Sequence, residues 1–243
     1  MMKLTVIGSG DAFGSGGRLN TCFFLKTKAK GLLIDCGATS LPGLKQQGIN
    51  VDDVDIIVLS HFHGDHYGGV PFLLLDAMST GRSKKITIVS PTGGKDRISA
   101  LLDLLYPGTE VLPKLDVTFI EYTSSEELIL EDLSLTAYPV IHSEGTLPHG
   151  LRLVIDKKVI SYSGDTSWTD TLFTLSDGAD LFICECNFYQ TQSKGHINYE
   201  DLKPKIAKFN VKKILLTHFD NEMLSRLNDI SERCAMEGLE VII

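Results

Sequence analysis

Apolar residues in this chain fall mainly into short runs of three to six, bounded by polar or glycine-containing turns, a spacing that favours strands over helices. The pattern predicts strands over residues 2–7, 22–26, 31–35, 56–59, 86–90, 116–121, 127–130, 133–140, 151–155, 158–162, 181–184, 213–216 and 240–243. Helical spacing appears over 39–47, 68–78, 94–106, 199–209 and 222–237. In the third of these, Ile98, Leu101, Leu102 and Leu105 share one face. Pro71 falls in the first turn of 68–78, where a missing N–H costs nothing, and Asn198 is placed to cap 199–209. The expected class is α+β, with strand and helix groups on either side of residue ~120 compatible with two similar halves, though no repeat is visible.

The strand over 56–59 ends in Ser60-His61-Phe62-His63-Gly64-Asp65-His66, a density of imidazole and carboxylate that a core does not need. His61 and His63, two apart in extended backbone, point the same way and can share one ion. Gly64 then breaks the path, so Asp65 and His66 can face a second centre. Neutral imidazole with carboxylate suits Zn²⁺, Mn²⁺ or Fe²⁺. The same logic recurs downstream: His142 lies just past the strand over 133–140, Asp165 follows Gly164 at the exit of 158–162, and His218 follows 213–216. His149 has no matched role. Cys184 and Cys186 share a strand face, but two thiols are too few for a structural metal site.

His61-Phe62-His63-Gly64-Asp65-His66 resembles the signature of the metallo-β-lactamase-fold hydrolases. The strand over 2–7, the glycine-rich stretch 8–17 and Arg18-Leu19-Asn20-Thr21 together resemble the start of the ribonuclease Z-like, phosphodiesterase branch. The resemblance spans the whole chain and implies a four-layer αβ/βα sandwich, two mixed sheets face to face with helices outside. It assigns His61, His63 and His142 to one divalent ion, Asp65, His66 and His218 to another, and Asp165 to a bridge between them. It also places Asp35 beneath the metal site and makes Asp65 the residue that orients the attacking water. His196 becomes the proton donor, with Glu200 as the glutamate near it. Where the family has Ser-Thr after that histidine, this chain has Ile197-Asn198.

Composition narrows what such a centre acts on. The 243 residues carry no linker-like segment, so 1–243 is expected to be one hydrolase domain. A formal net charge of −8 argues against a protein that spreads over nucleic-acid phosphates. No apolar run approaches the roughly 18 residues of a membrane span, and no export signal is expected. Five irregularly spaced cysteines are then expected to be reduced thiols in a cytoplasmic protein. The glycines at 8–17 do not read as a nucleotide loop, since neither a Lys-Ser/Thr pair nor a helix pattern follows, though the stretch can line a substrate site. The expected activity is hydrolysis of small phosphodiesters or nucleic-acid ends by two divalent ions, zinc first and manganese or iron next, in a homodimer like that of its dimeric relatives. Transfer-RNA 3′ processing is the alternative. It is opposed by the acidity and by the 23 positions from His142 to Asp165, the interval that carries the long RNA-gripping arm in bacterial ribonuclease Z. Ester, lactone or thioester hydrolysis stays open, because the pocket loops choose the scissile group. A metal-binding regulator or scaffold would be expected to have lost ligands, and all seven are present.

Overall fold

Alternation along each strand decides which layer a side chain enters. In the run Leu32-Leu33-Ile34, Leu32 and Ile34 enter the core between two sheets, while Leu33 packs outward with a helix layer. All three are buried, so both faces of this strand are covered. The same division holds in the second sheet, where Ile183 faces the other sheet and Phe182 and Cys184 pack beneath outer helices.

The computed structural model describes residues 2–243. Along the chain the elements are β1 (Lys3–Gly8), β2 (Cys22–Lys26), β3 (Gly31–Ile34), α1 (Ser40–Gln46), β4 (Ile56–Val58), α2 (Gly64–Tyr67), α3 (Val70–Ser79), β5 (Ile86–Ser90), α4 (Gly94–Leu105) and β6 (Val117–Glu121). They continue with β7 (Glu127–Leu130), β8 (Leu133–Pro139), β9 (His149–Ile155), β10 (Lys158–Tyr162), α5 (Thr171–Ser176), β11 (Leu181–Glu185), α6 (Tyr199–Ile206), β12 (Ile214–Thr217), α7 (Asn221–Ser225) and β13 (Glu240–Ile242). The first sheet has the order β13-β1-β2-β3-β4-β5-β6 and the second β12-β11-β10-β9-β8-β7. With helices outside both, this is the expected α/β/β/α stack of four layers.

Each sheet begins as an antiparallel meander and continues as parallel crossovers. β1, β2 and β3 alternate in direction before β3, β4, β5 and β6 run parallel. β7 to β10 alternate before β10, β11 and β12 run parallel. It follows that β1, β3 and β4 leave the first sheet at one edge, and that β8, β10, β11 and β12 leave the second sheet at one edge. Open sheets of this kind meet ligands beyond the carboxyl ends of their strands.

Three local expectations are revised. The segment 222–237 is not one helix: after α7 and a 3₁₀ turn at Leu227–Asp229, its backbone pairs with β12, Leu216 N–H donating to Arg233 O and Ala235 N–H to Leu216 O. The apolar positions that look helical there still cover the outer layer, but ladder bonds to an open sheet edge hold the chain extended. The stretch 68–78 begins earlier and splits, because α2 takes Gly64–Tyr67 as a separate turn ahead of α3. Helix α5 has no counterpart in the sequence reading; six residues are too few for a helical period to stand out. Asn198 caps α6 as expected, accepting the Asp201 N–H at 2.9 Å. The five cysteines are free, and Cys184 and Cys186 lie buried among Phe182, Leu216 and Phe219. Among the described residues no helix is long and apolar enough to cross a membrane.

Candidate metal centre

Past β4 the chain descends into the gap between the sheets and turns into α2. The turn needs Gly37 in the neighbouring loop, because a Cβ there would lie 2.1 Å from the Asp65 carbonyl oxygen. The loop carries His61, His63, Asp65 and His66 together; His142, Asp165 and His218 arrive singly from the exits of β8, β10 and β12.

Two groups of donors result. His63 Nδ1 lies 3.2 Å from His61 Nε2 and 3.0 Å from His142 Nε2, and Asp165 Oδ2 is 3.8 Å from both of those Nε2 atoms. In the second group His66 Nε2 is 3.2 Å from Asp65 Oδ2 and from Asp165 Oδ2, and His218 Nε2 is 3.3 Å from Asp165 Oδ2. Within each group one donor atom per residue lies within 4.8 Å of all the others, and Asp165 belongs to both.

The outward ring nitrogens fix the tautomers. His142 Nδ1–H donates to Gly195 O at 2.8 Å and His66 Nδ1–H to Asp35 Oδ2 at 2.7 Å. Ser60 Oγ–H donates to Asp35 Oδ2 at 2.7 Å and accepts from His61 Nδ1 at 3.0 Å. Thr21 Oγ1 donates to Gly10 O and accepts from His218 Nδ1 at 3.2 Å. With each Nδ1–H spent outward, the four Nε2 atoms turn lone pairs toward one another and toward carboxylates. Buried lone pairs so arranged are mutually repulsive unless a cation sits among them. Asp65 Oδ2, His66 Nε2 and Asp165 Oδ1 are moreover buried without a hydrogen-bond partner. The donor set therefore fits divalent ions.

Electrostatics point the same way. Burial pushes His142 down to about 4 and His61 down as well, so both rings stay neutral and able to coordinate. At His66 burial also opposes charge, but Asp165, Asp65 and Asp35 outweigh it and raise the pKa, so the field at this group favours a cation. Asp35 and His218 hold left-handed backbone, φ 57° and 66°. His218 is held there by its N–H donating to Ser9 O and by Asn187 Nδ2 donating to His218 O.

His196 lies beside the second sheet's ligands, its ring stacked on that of His218 with centroids 5.5 Å apart and 4.9 Å from that of His142. Its Nδ1 meets Glu185 Oε1 at 3.1 Å, which leaves Nε2 as the free nitrogen. Burial disfavours the charged ring, but the Glu185 carboxylate outweighs it and lifts His196 to about 9. Glu185 is fully buried and also accepts the Thr166 N–H at 2.6 Å and the Ile197 N–H at 3.2 Å, tying the Asp165 turn to the His196 turn.

The expectation that Glu200 backs His196 is corrected. Asn198 starts α6 so that Tyr199 and Leu202 face the core, and Glu200 is rotated into solvent. The residue that meets His196 is Glu185, whose signal was a lone carboxylate ending the apolar run Leu181-Phe182-Ile183-Cys184. Asp35 sits where expected, buried, meeting His66 directly and His61 through the Ser60 hydroxyl. His149 joins neither donor group: it opens β9, donates from Nδ1 to Leu147 O and accepts the Ser124 hydroxyl at 2.6 Å. The exposed Arg97 guanidinium lies 4.6 Å above the ring of Phe62, between two of the histidines in sequence, donates to Gly145 O at 3.4 Å and has no carboxylate within 4.0 Å among the described residues.

Two facing mixed sheets with paired His/Asp donors at the strand ends define a metallo-β-lactamase-fold protein. Within that class the chain belongs to the anti-Pycsar protein Apyc1 family, whose sequence profile matches residues 2–237. It is 28% identical to the probable metallo-hydrolase YhfI of Bacillus subtilis, over 89% of this chain and 86% of that protein. The crystal structure of YhfI superposes with a TM-score of 0.80 over the full length of both chains. Ribonuclease Z of Ignicoccus hospitalis is 24% identical over 89% of this chain and 87% of its own length. A diphosphatase of the PhnP family shares the fold, with a TM-score of 0.79 at 18% identity, covering 100% of this chain and 98% of that one.

Proposed function

We propose that residues 1–243 act as one metal-dependent phosphodiesterase with two divalent ions, cleaving small phosphodiesters such as cyclic nucleotides, or nucleic-acid ends. The observation that carries this is Asp165, common to two donor groups, beside a histidine, His196, whose Nδ1 meets the buried Glu185 carboxylate at 3.1 Å. His61, His63, His142 and Asp165 would hold one ion, and Asp65, His66, His218 and Asp165 the other. Zinc suits this imidazole and carboxylate set, with manganese or iron as alternatives. Such a pair would supply positive charge for phosphoryl oxygens and would lower the pKa of a bound water toward neutrality.

The chain's own residues do the rest. Asp65 orients the attacking water. His196, charged through neutral pH because Glu185 faces its Nδ1, delivers a proton from Nε2 to the leaving oxygen. Arg97 adds an unpaired positive charge at the rim of an otherwise acidic chain. Similarity to ribonuclease Z and to a PhnP-family diphosphatase supports phosphorus over acyl chemistry. Transfer-RNA 3′ processing is the second reading, favoured by the ribonuclease Z relative. Against it, the interval from His142 to Asp165 holds only a 3₁₀ turn and the β9–β10 hairpin, with no projecting arm. A homodimer and a cytoplasmic setting belong to the same proposal; the five unpaired thiols support the latter.

The test is turnover of bis(p-nitrophenyl) phosphate by protein loaded with Zn²⁺ or Mn²⁺, followed by a panel of cyclic nucleotides, a precursor tRNA, a lactone and a thioester. Diester cleavage with the strongest rate on small substrates is expected. Hydrolysis of the lactone or thioester without any diester turnover would overturn the proposal.

A further inference from the structure

His149 is half of a pair that the metal centre does not use. Its Nε2 lies 2.6 Å from Ser124 Oγ, and its Nδ1 lies 2.8 Å from Leu147 O. A carbonyl oxygen only accepts, so the ring proton is on Nδ1, and the Ser124 hydroxyl donates to the lone pair on Nε2. A short bond from hydroxyl to imidazole, with the far ring nitrogen tied to an acceptor, is the arrangement that activates a serine. Burial pushes the His149 pKa down, so the ring is uncharged at neutral pH and able to take a proton.

The imidazole is held firmly. Tyr122 packs against it close to edge-on, with centroids 5.2 Å apart, and anchors its own hydroxyl on Leu59 O and Ser60 O. His149 N–H donates to Ser60 O at 3.2 Å, and a Cβ at Gly164 would lie 2.5 Å from His149 O, so the backbone is confined on both sides. Ser124 differs from its partner in exposure: His149 is buried, whereas Ser124 is open to solvent in the turn between β6 and β7. That turn is fastened to β8 by Ser125 N–H, which donates to Ala137 O at 2.7 Å. The N–H groups of Thr123 and Ser124 donate to no acceptor among the described residues, so the turn keeps backbone donors for charge developing on an attacked group.

We propose that Ser124 is a nucleophile activated by His149, a second reactive site that takes carboxylic esters with a good leaving group. The Ser124 Oγ bonds to the ester carbonyl carbon while its proton passes to His149 Nε2. The bond from that carbon to the leaving oxygen then breaks, and the leaving oxygen takes the proton. Water next attacks the acyl carbon, gives a proton to Nε2, and the acyl–serine bond breaks as that proton returns to Oγ. The products are a carboxylic acid and an alcohol. This chemistry is independent of the phosphodiesterase reading and of the seven ligands that carry it.

The experiment treats metal-loaded protein with diisopropyl fluorophosphate, which traps an activated serine by forming an Oγ–P bond as fluoride leaves, and maps the adduct by peptide mass spectrometry. Wild type is expected to carry it on Ser124, and His149→Gln should slow that labelling by about 10²-fold. Ser124→Ala, a change at an exposed position, should lose the adduct and most of the hydrolysis of p-nitrophenyl acetate while keeping its turnover of bis(p-nitrophenyl) phosphate. No adduct on Ser124 in wild type overturns the proposal, as does labelling of His149→Gln at the wild-type rate. So does a Ser124→Ala protein that hydrolyses the acetate undiminished, or that loses acetate and diester turnover together. A melting temperature that falls in Ser124→Ala, with no label on wild type, would make the pair a strut between β9 and the β6–β7 turn. If His149→Gln does not fold, the adduct and the Ser124→Ala rates decide the question without it.

Discussion

The two halves of the molecule furnish the centre in opposite ways. The first concentrates His61, His63, Asp65 and His66 in one loop after β4 and steadies two of them from a single buried Asp35. The second delivers His142, Asp165, Glu185, His196 and His218 from separate strand ends and turns, with His142, His196 and His218 each held by its own backbone or side-chain partner. The first half is built as a metal cradle. The second closes it and adds His196, raised to about 9 by the facing Glu185 carboxylate and proposed above as the proton donor. Metal affinity and proton delivery should therefore be separable by mutation.

The largest effect is expected where the halves meet. Asp165→Ala removes the carboxylate common to both groups and should lower turnover by at least about 10³-fold, with loss of bound metal seen by elemental analysis. An enzyme that kept both ions would show that Asp165 does not join the halves. Next, Glu185→Gln should lower kcat by about 10²-fold at full metal content, since it affects the proton donor and not the ligands. The same variant has a pH signature. Glu185 raises His196 from an ordinary value near 6.5 to about 9, so the acid form persists at neutral pH and is lost as pH rises through that range. Stability drawn from the pair is likewise complete below the ordinary value and lost as pH rises through the raised one. In Glu185→Gln the alkaline limb of the rate profile should move to lower pH; a limb that stays in place removes His196 from proton delivery.

Asp35→Asn tests the cradle from below. Weaker support for His61 and His66 should cost about 10–100-fold in metal affinity, with activity recovered at high Zn²⁺. Failure of excess metal to restore rate would mean that Asp35 serves the chemistry directly. The smallest effect is at the rim: Arg97→Ala should raise KM about threefold with kcat little changed, and raised salt should mask the difference.

How much of this the sequence disclosed follows the same division. A histidine-rich run after a buried strand announces itself, because its ligands are neighbours in sequence as well as in space. The strand ladder was legible too, since most strands are short apolar runs bounded by turns. The dispersed ligands His142, Asp165 and His218 were marked by their place after strands and paired only through family resemblance, which named Glu200 and left Glu185 without a role. Spacing after His196 pointed to Glu200, but the cap at Asn198 sets the phase of α6 and turns that side chain outward. Glu185 looked like the polar end of a core strand; only the packed fold shows its oxygens gathering Thr166, Ile197 and His196. The extended path after α7 was equally hidden, because pairing with a sheet edge overrode a helical pattern.

Asp65 and His66 share a donor group with His218, so an ion there fastens positions far apart in the chain, much as a covalent staple would. Because those donors converge only in the fold, an ion there would bind the folded chain and not the denatured one, and its binding free energy would add to folding stability. Chelation should thus loosen the whole architecture, and the ions that drive chemistry would double as guardians of persistence against heat and proteolysis.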